Sequence, residues 1–170
     1  MIIRSCSLIA TAVALSTSGT AAAPTLSFDC DALPGQVSSM DERQLPAVSA
    51  ISGNFRALLA RSDNNLRPSA TVKLASAKDF VALQMTPTEP GANRYTVFVR
   101  NGDNREEERT PLGEIALNES MPFRVALSGK DVEIVAGDQA MSVRQSFRGT
   151  ANIGLSCTTG HFRFDTLQVQ

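Results

Sequence analysis

Tryptophan is absent from this chain, and tyrosine and histidine occur once each, as Tyr95 and His161. Sugar platforms typically rest on flat aromatic rings, so this poverty argues against a strong polysaccharide binder of that kind. A lone histidine without a cysteine cluster gives no transition-metal site. No Gly-x-Ser-x-Gly elbow occurs, so His161 has no serine nucleophile to serve. The favoured reading of His161 is an exposed residue at the head of the last strand, against general base or metal ligand. An excess of charge is missing too: 16 basic and 17 acidic residues give a formal net charge of −1. Near-neutrality offers no electrostatic reason to bind nucleic acid or an anionic membrane.

Long hydrophobic runs are also lacking. The apolar stretch 8–15 is far short of the ~20 residues that span a bilayer. It follows Arg4 and precedes small residues ending in Ala21-Ala22-Ala23-Pro24, the order of charge, core and cleavage site in a secretory signal peptide. Pro24 makes a cut after Ala23 a poor one, and a cut after Ala22 leaves small side chains at the recognition positions. Cys6 precedes the apolar run and follows Ser5, which is not a lipoprotein context. The expectation is a signal peptide over 1–22 and a single domain over 23–170, exported to the periplasm or beyond, with no membrane span in the mature chain. Loss of Arg4 leaves 15 basic residues against 17 acidic, a net charge near −2.

Export gives the cysteines their meaning. Cys6 leaves with the signal, so Cys30 and Cys157 permit one intramolecular pairing. That bridge would tie the two ends of the domain together. Closing so long a loop is worth about 5 kcal/mol at most in the chain-entropy model. Two free, buried thiols are the alternative.

What is abundant is short β-rich stretches: 52–60, 70–75, 80–85, 94–100, 113–117, 123–127, 132–135, 140–144, 151–156 and 162–169. Between them lie turn signals such as Asp63-Asn64-Asn65, Asn101-Gly102-Asp103-Asn104, Ser128-Gly129-Lys130-Asp131 and Gly137-Asp138. Regular short strands with such punctuation argue for an all-β, antiparallel sandwich or barrel. Alternation puts Tyr95, Val97 and Val99 on one face against Thr96, Phe98 and Arg100. Phe123, Val125 and Leu127 oppose Arg124 and Ala126, and Phe162 and Phe164 oppose Arg163 and Asp165. Leu167 and Val169 fall on the other parity, which predicts a bulge near Asp165. The stretch 31–45 has Pro34-Gly35, serines and an acidic-basic cluster, and reads as a surface loop with at most one helical turn.

The ending Gly160-His161-Phe162-Arg163-Phe164-Asp165-Thr166-Leu167-Gln168-Val169 resembles the last strand of concanavalin A-like (laminin G-like) jelly-roll domains. The preceding order of a Tyr-containing strand, an Asn-Gly turn, Pro-Phe-Arg-Val and Val-Glu-Ile-Val is similar to that superfamily as well. The resemblance implies first and last strands side by side, which suits a Cys30–Cys157 bridge. For function it implies a non-catalytic module for a glycan or cell-envelope polymer. The alternatives are a module for another exported protein and, behind it, a divergent glycoside hydrolase. Hydrolases of the superfamily carry a Glu-x-Asp-x-Glu strand, whose alternate positions bring two carboxyl groups ~5–5.5 Å apart. No such triplet occurs: Glu106-Glu107-Glu108 reads as a solvated loop between Arg105 and Arg109, and Glu114 and Glu119 cannot share one strand face.

Two further readings concern ligands. Asp63 and Asp103 are the candidate ligands for calcium, which loops of the resembled superfamily often carry; ordinary turn chemistry is the alternative. No other cofactor is expected. The cations Arg56, Lys73, Arg100, Arg124 and Arg144, with Arg163, occupy polar strand positions. Lining one sheet face, they would grip carboxylated or phosphorylated glycans or an acidic protein. The blander reading is a solvated face with cross-strand ion pairs.

Overall fold

Among the described residues, alternation of apolar and polar side chains produces ten antiparallel strands and no helix. The structure is a computed structural model that describes residues 25–40, 48–63, 65–76, 79–103, 106–145, 147 and 150–170. The expected signal peptide, with Cys6 and the cut after Ala22, lies outside the described residues. The strands are β1 (Leu26–Met40), β2 (Ala50–Ala60), β3 (Ser69–Ala75), β4 (Phe80–Pro87), β5 (Arg94–Gly102), β6 (Glu107–Ala116), β7 (Ser120–Ser128), β8 (Asp131–Ala136), β9 (Gln139–Arg144) and β10 (Asn152–Val169).

They follow the order β6-β5-β4-β3-β10-β2-β7-β8-β9, with β1 also paired to β10. The long strand β10 links two layers. Residues 152–158 pair with β3 and carry the first layer, β3 to β6. Residues 160–169 pair with β2 and carry the second, β2 with β7 to β9. The passage falls at Thr159, whose φ is 46°, and Gly160. A Cβ on Gly160 would stand 2.8 Å from the Leu59 carbonyl oxygen and 2.7 Å from the Phe162 ring, so glycine alone fits this crossing without displacement. β1 runs along both halves of β10 and shifts register between Ala32 and Val37. The first and last strands thus lie side by side, joined by the Cys30–Cys157 disulfide at a Cα separation of 6.0 Å.

Inward residues of both layers form one core. Ala70, Val72, Leu74, Val81, Leu83, Met85, Tyr95, Val97 and Val99 come from the first layer. Ile51, Phe55, Phe123, Val125, Ile134, Phe162 and Phe164 come from the second. The layers touch where Tyr95 meets Phe162 edge to face, ring centres 6.1 Å apart. Phe164 lies 5.0 Å from Phe55, which in turn lies 5.7 Å from Phe123. Two-residue turns close the β7–β8 and β8–β9 hairpins, and Gly129 supplies the positive φ of 65° that the first requires.

The expected bulge is present: register shifts between Asp165 and Gln168, and Thr166 has a φ of 52°. Three expectations are corrected. Of the expected loop 31–45, residues 31–40 are strand, because an edge strand with a single partner needs little apolar alternation, and 41–45 lie outside the described residues. Glu107, Glu108 and Arg109 belong to β6, paired with Gly102, Asn101 and Arg100. His161 sits mid-strand opposite Leu59 and Asp31, not at the head of a strand, since 151–156 and 162–169 belong to one bent strand.

Candidate ligand-binding face

The outer surface of the first layer is a grid of side chains set by strand register. Lys73 lies opposite Ala82, Ala82 opposite Arg100, and Arg100 opposite Arg109, so one row crosses β3, β4, β5 and β6. The next row is Thr71, Gln84, Phe98 and Pro111; on the other side lie Phe80, Gly102 and Glu107. Ala82 faces outward yet is only 1% exposed, flanked in its row by the long stems of Lys73 and Arg100.

Each cation of the row has a different partner. Arg100 donates two hydrogen bonds to Glu107, at 2.7 and 2.6 Å, in a two-point fork. This bond from Arg100 holds the Glu107 carboxyl below its usual range, with burial opposing. Arg109 lies over the Phe98 ring at 3.8 Å and donates to the Thr86 hydroxyl at 3.3 Å. Lys73 Nζ stands 4.9 Å from the centre of Phe80, whose ring also has Arg100 at 5.9 Å. Arg109 and Lys73 form no ion pair within 4.0 Å among the described residues. Partial burial lowers the proton affinity of Arg109, and the charges of Arg100 and Arg67 push the same way against Glu107. The guanidinium stays charged at any ordinary pH.

The five cations singled out in the sequence do not share this face. Lys73 and Arg100 are on it; Arg56, Arg124 and Arg144 project from the outer face of the second layer. The cause is the layering: β2, β7 and β9 pair on the far side of the β10 crossing. There Arg124 lies 3.8 Å from Glu133, Arg144 stands opposite Asp131, and Arg163 bonds Asp165 at 2.7 Å. His161 on the same face pairs with Asp29 through Nε2. Arg109 escaped sequence reading because the head of β6 is polar on both faces and contains Pro111, as an edge strand permits. The clue available was the alternation of Glu107, Arg109 and Pro111 after an Asn-Gly turn.

Asp63 and Asp103 stand at opposite ends of the first layer, one before β3 and the other after β5. Asp63 accepts the backbone N–H groups of Asn65 and Leu66 at 2.8 and 2.9 Å, and Asp103 accepts that of Glu106 at 2.9 Å. Both carboxylates serve local turns. Among the described residues, no three His, Cys, Asp or Glu side chains are grouped to hold a metal ion. Asn64 and Asn104 of those turns lie outside the described residues.

Among the described residues, concavities lie on either side of the face. A cleft of about 450 Å³ separates β6 from the β7–β9 sheet and is lined by Glu114, Glu119 and Asp138 among others. Each of these carboxylates has a local partner: Arg94 at 3.0 Å, the Ala116 N–H at 3.1 Å and the Gln139 amide at 3.1 Å. A wider groove of about 780 Å³ lies between the β2–β3 connection, with Arg61 and Arg67, and the 87–91 turn. Arg61 there is tied to Asp31 and to the Ala32 carbonyl.

No protein-family model matches the chain, and no curated protein matches it in sequence. Solved structures do. A double mutant of congerin II superposes with a TM-score of 0.52 at 7% identity, covering 79% of this chain and 100% of congerin. The fold is an all-β, antiparallel jelly-roll sandwich. Congerin II liganded by lactose and MES gives 0.50 at 8% identity, covering 73% of this chain and 92% of that one. The alginate lyase of Alteromonas sp. 272 gives 0.45 at 15% identity over 81% of this chain. The chain spans 64% of that lyase.

Proposed function

We propose that this jelly roll is an exported, non-catalytic module that binds a glycan or cell-envelope polymer on the outer face of its first layer. The observation that carries the reading is the row Lys73–Ala82–Arg100–Arg109, with polar Thr71, Gln84 and Thr86 beside it. A flat grid of donors on rigid strands suits an extended polymer better than a closed pocket would. A lactose-liganded protein of the same fold supports a sugar as ligand. The Cys30–Cys157 bridge fits an oxidising compartment, and no helix among the described residues is long and apolar enough to cross a membrane.

The test is titration of the oxidised protein with a panel of neutral and acidic polysaccharides and peptidoglycan. Saturable binding to at least one is expected; none across the panel contradicts the reading. A second reading, docking of another exported protein, is favoured by β1. That strand pairs only with β10 among the described residues and exposes Leu33 and Val37 at 56% and 63%. Crosslinking in the native envelope would capture such a partner on β1.

A further inference from the structure

We propose that the ligand is a linear polyanionic glycan, its carboxylate or sulfate groups taken by Arg109 and Lys73 as the polymer lies across strands β3 to β6. The inference rests on the glycan reading above and narrows it to a charge class.

Three observations carry it. The outward phenylalanines do not offer bare rings to a neutral sugar. Phe98 carries Arg109 at 3.8 Å, and Phe80 is flanked by Lys73 at 4.9 Å and Arg100 at 5.9 Å. What the surface presents is therefore cationic donors steadied by rings, with less rotamer freedom to lose on binding.

Second, charge on the grid is unbalanced. Lys73, Arg100 and Arg109 against Glu107 give 3 − 1 = +2, in a chain whose formal net charge is −1. The neighbouring Arg94–Glu114 pair cancels itself at 3.0 Å. Arg100 already grips a carboxylate, that of Glu107, which shows the recognition chemistry at work within the protein. Arg109 and Lys73 feel the charge of Glu107 but form no ion pair within 4.0 Å among the described residues, which leaves their donors for anions from outside.

Third, the cations lie in a line. Neighbouring strands stand about 4.8 Å apart, so the row from β3 to β6 extends for about 14 Å. That length fits a polymer bearing repeated anionic groups rather than a single sugar acid.

The test titrates the oxidised protein with polygalacturonate, dextran sulfate and neutral dextran at low and at moderate salt. Binding to one or both polyanions, at least about tenfold tighter than to neutral dextran and weakened by salt, supports the proposal. Which polyanion binds tells carboxylate from sulfate. Arg109→Gln and Lys73→Gln should each cost about tenfold, and Arg109→Lys an intermediate loss, because it keeps the charge without the planar fork. Arg124→Gln, on the second layer, should stay within about twofold. Unchanged melting temperatures would confirm that each variant is folded. Equal binding of neutral dextran, or no loss in folded Arg109→Gln, overturns the anion inference and leaves the glycan reading standing. Equal losses in Arg109→Gln and Arg124→Gln overturn the placement. No binding to any polymer in the wider panel overturns the glycan reading itself.

Discussion

The two outer faces of the jelly roll carry similar numbers of cations and arrange them differently. On the second layer, three basic side chains stand beside acids, Arg124 by Glu133, Arg163 by Asp165 and His161 by Asp29, while Arg56 and Arg144 form no ion pair within 4.0 Å among the described residues. Such pairs are the ordinary state of a solvated sheet, each worth at most about 1 kcal/mol. On the first layer, two cations rest on phenylalanine rings and only Arg100 in the row has a carboxylate. A cation beside an acid is neutralised in place; a cation held on a ring keeps its charge facing outward. The difference teaches that the number of arginines on strands is a poor guide to a binding face, and that what each one touches is a better one.

The largest effect that would break the comparison concerns the rings. If Phe98 and Phe80 belong to the surface grid, Phe98→Ala should change stability by about 1 kcal/mol or less, whereas Phe164→Ala and Phe123→Ala should each cost about 3–5 kcal/mol in chemical denaturation. Phe164 is fully buried and Phe123 is 3% exposed. A loss above about 3 kcal/mol for Phe98→Ala would make the ring part of the core.

Next comes the joint on which both faces depend. Cys30→Ser with Cys157→Ser should cost about 2–4 kcal/mol, because β1 is tied to β10 where the layers meet. Thiol labelling of the denatured, oxidised chain over 23–170 should find no free cysteine. Labelling at two sites would show that the bridge is absent.

How much of this was legible without coordinates follows from the same geometry. The alternation of Tyr95, Val97 and Val99 against Thr96, Phe98 and Arg100 reads directly, because a strand with one face in the core repeats every two residues. The parity switch after Phe164 gave away the bulge near Asp165. The strand over 31–40 was hidden, since within it only Ala32 is fully buried, with Met40 packed partly against the core. The head of β6 was hidden for a related reason: an edge strand over solvent has no apolar side to show. Most of the candidate face was out of reach because it depends on long-range pairing. Nothing local says that Lys73, Arg100 and Arg109 share a row, or that Arg56 and Arg124 lie beyond the crossing at Thr159 and Gly160.

The smallest effect sharpens the comparison by pH. The Arg100 bond depresses the Glu107 carboxyl, so its stabilising contribution is present above the unfolded value of about 4.3 and is lost as pH falls through the lower, folded value. Glu107 is well exposed, and solvent screening keeps that contribution to about 1 kcal/mol at most. Glu107→Gln should remove this part of the acid dependence and take the grid from +2 to +3. Dextran sulfate, whose charge does not titrate in this range, should then bind severalfold tighter. Asp165→Asn on the second layer should leave its binding unchanged. Tighter binding in Asp165→Asn alone would reverse the assignment of the faces.

The claim that one face binds and the other does not is tested most directly by resonance mapping. The isotope-labelled, oxidised protein would be titrated with a short oligogalacturonate and, in parallel, a sulfated oligosaccharide. The account predicts that shifts cluster on β3 to β6, at Thr71, Lys73, Gln84, Phe98, Arg100 and Arg109, with Arg56, Arg124 and Arg163 undisturbed. Shifts centred on the second layer, or confined to the free edge of β1, would contradict it.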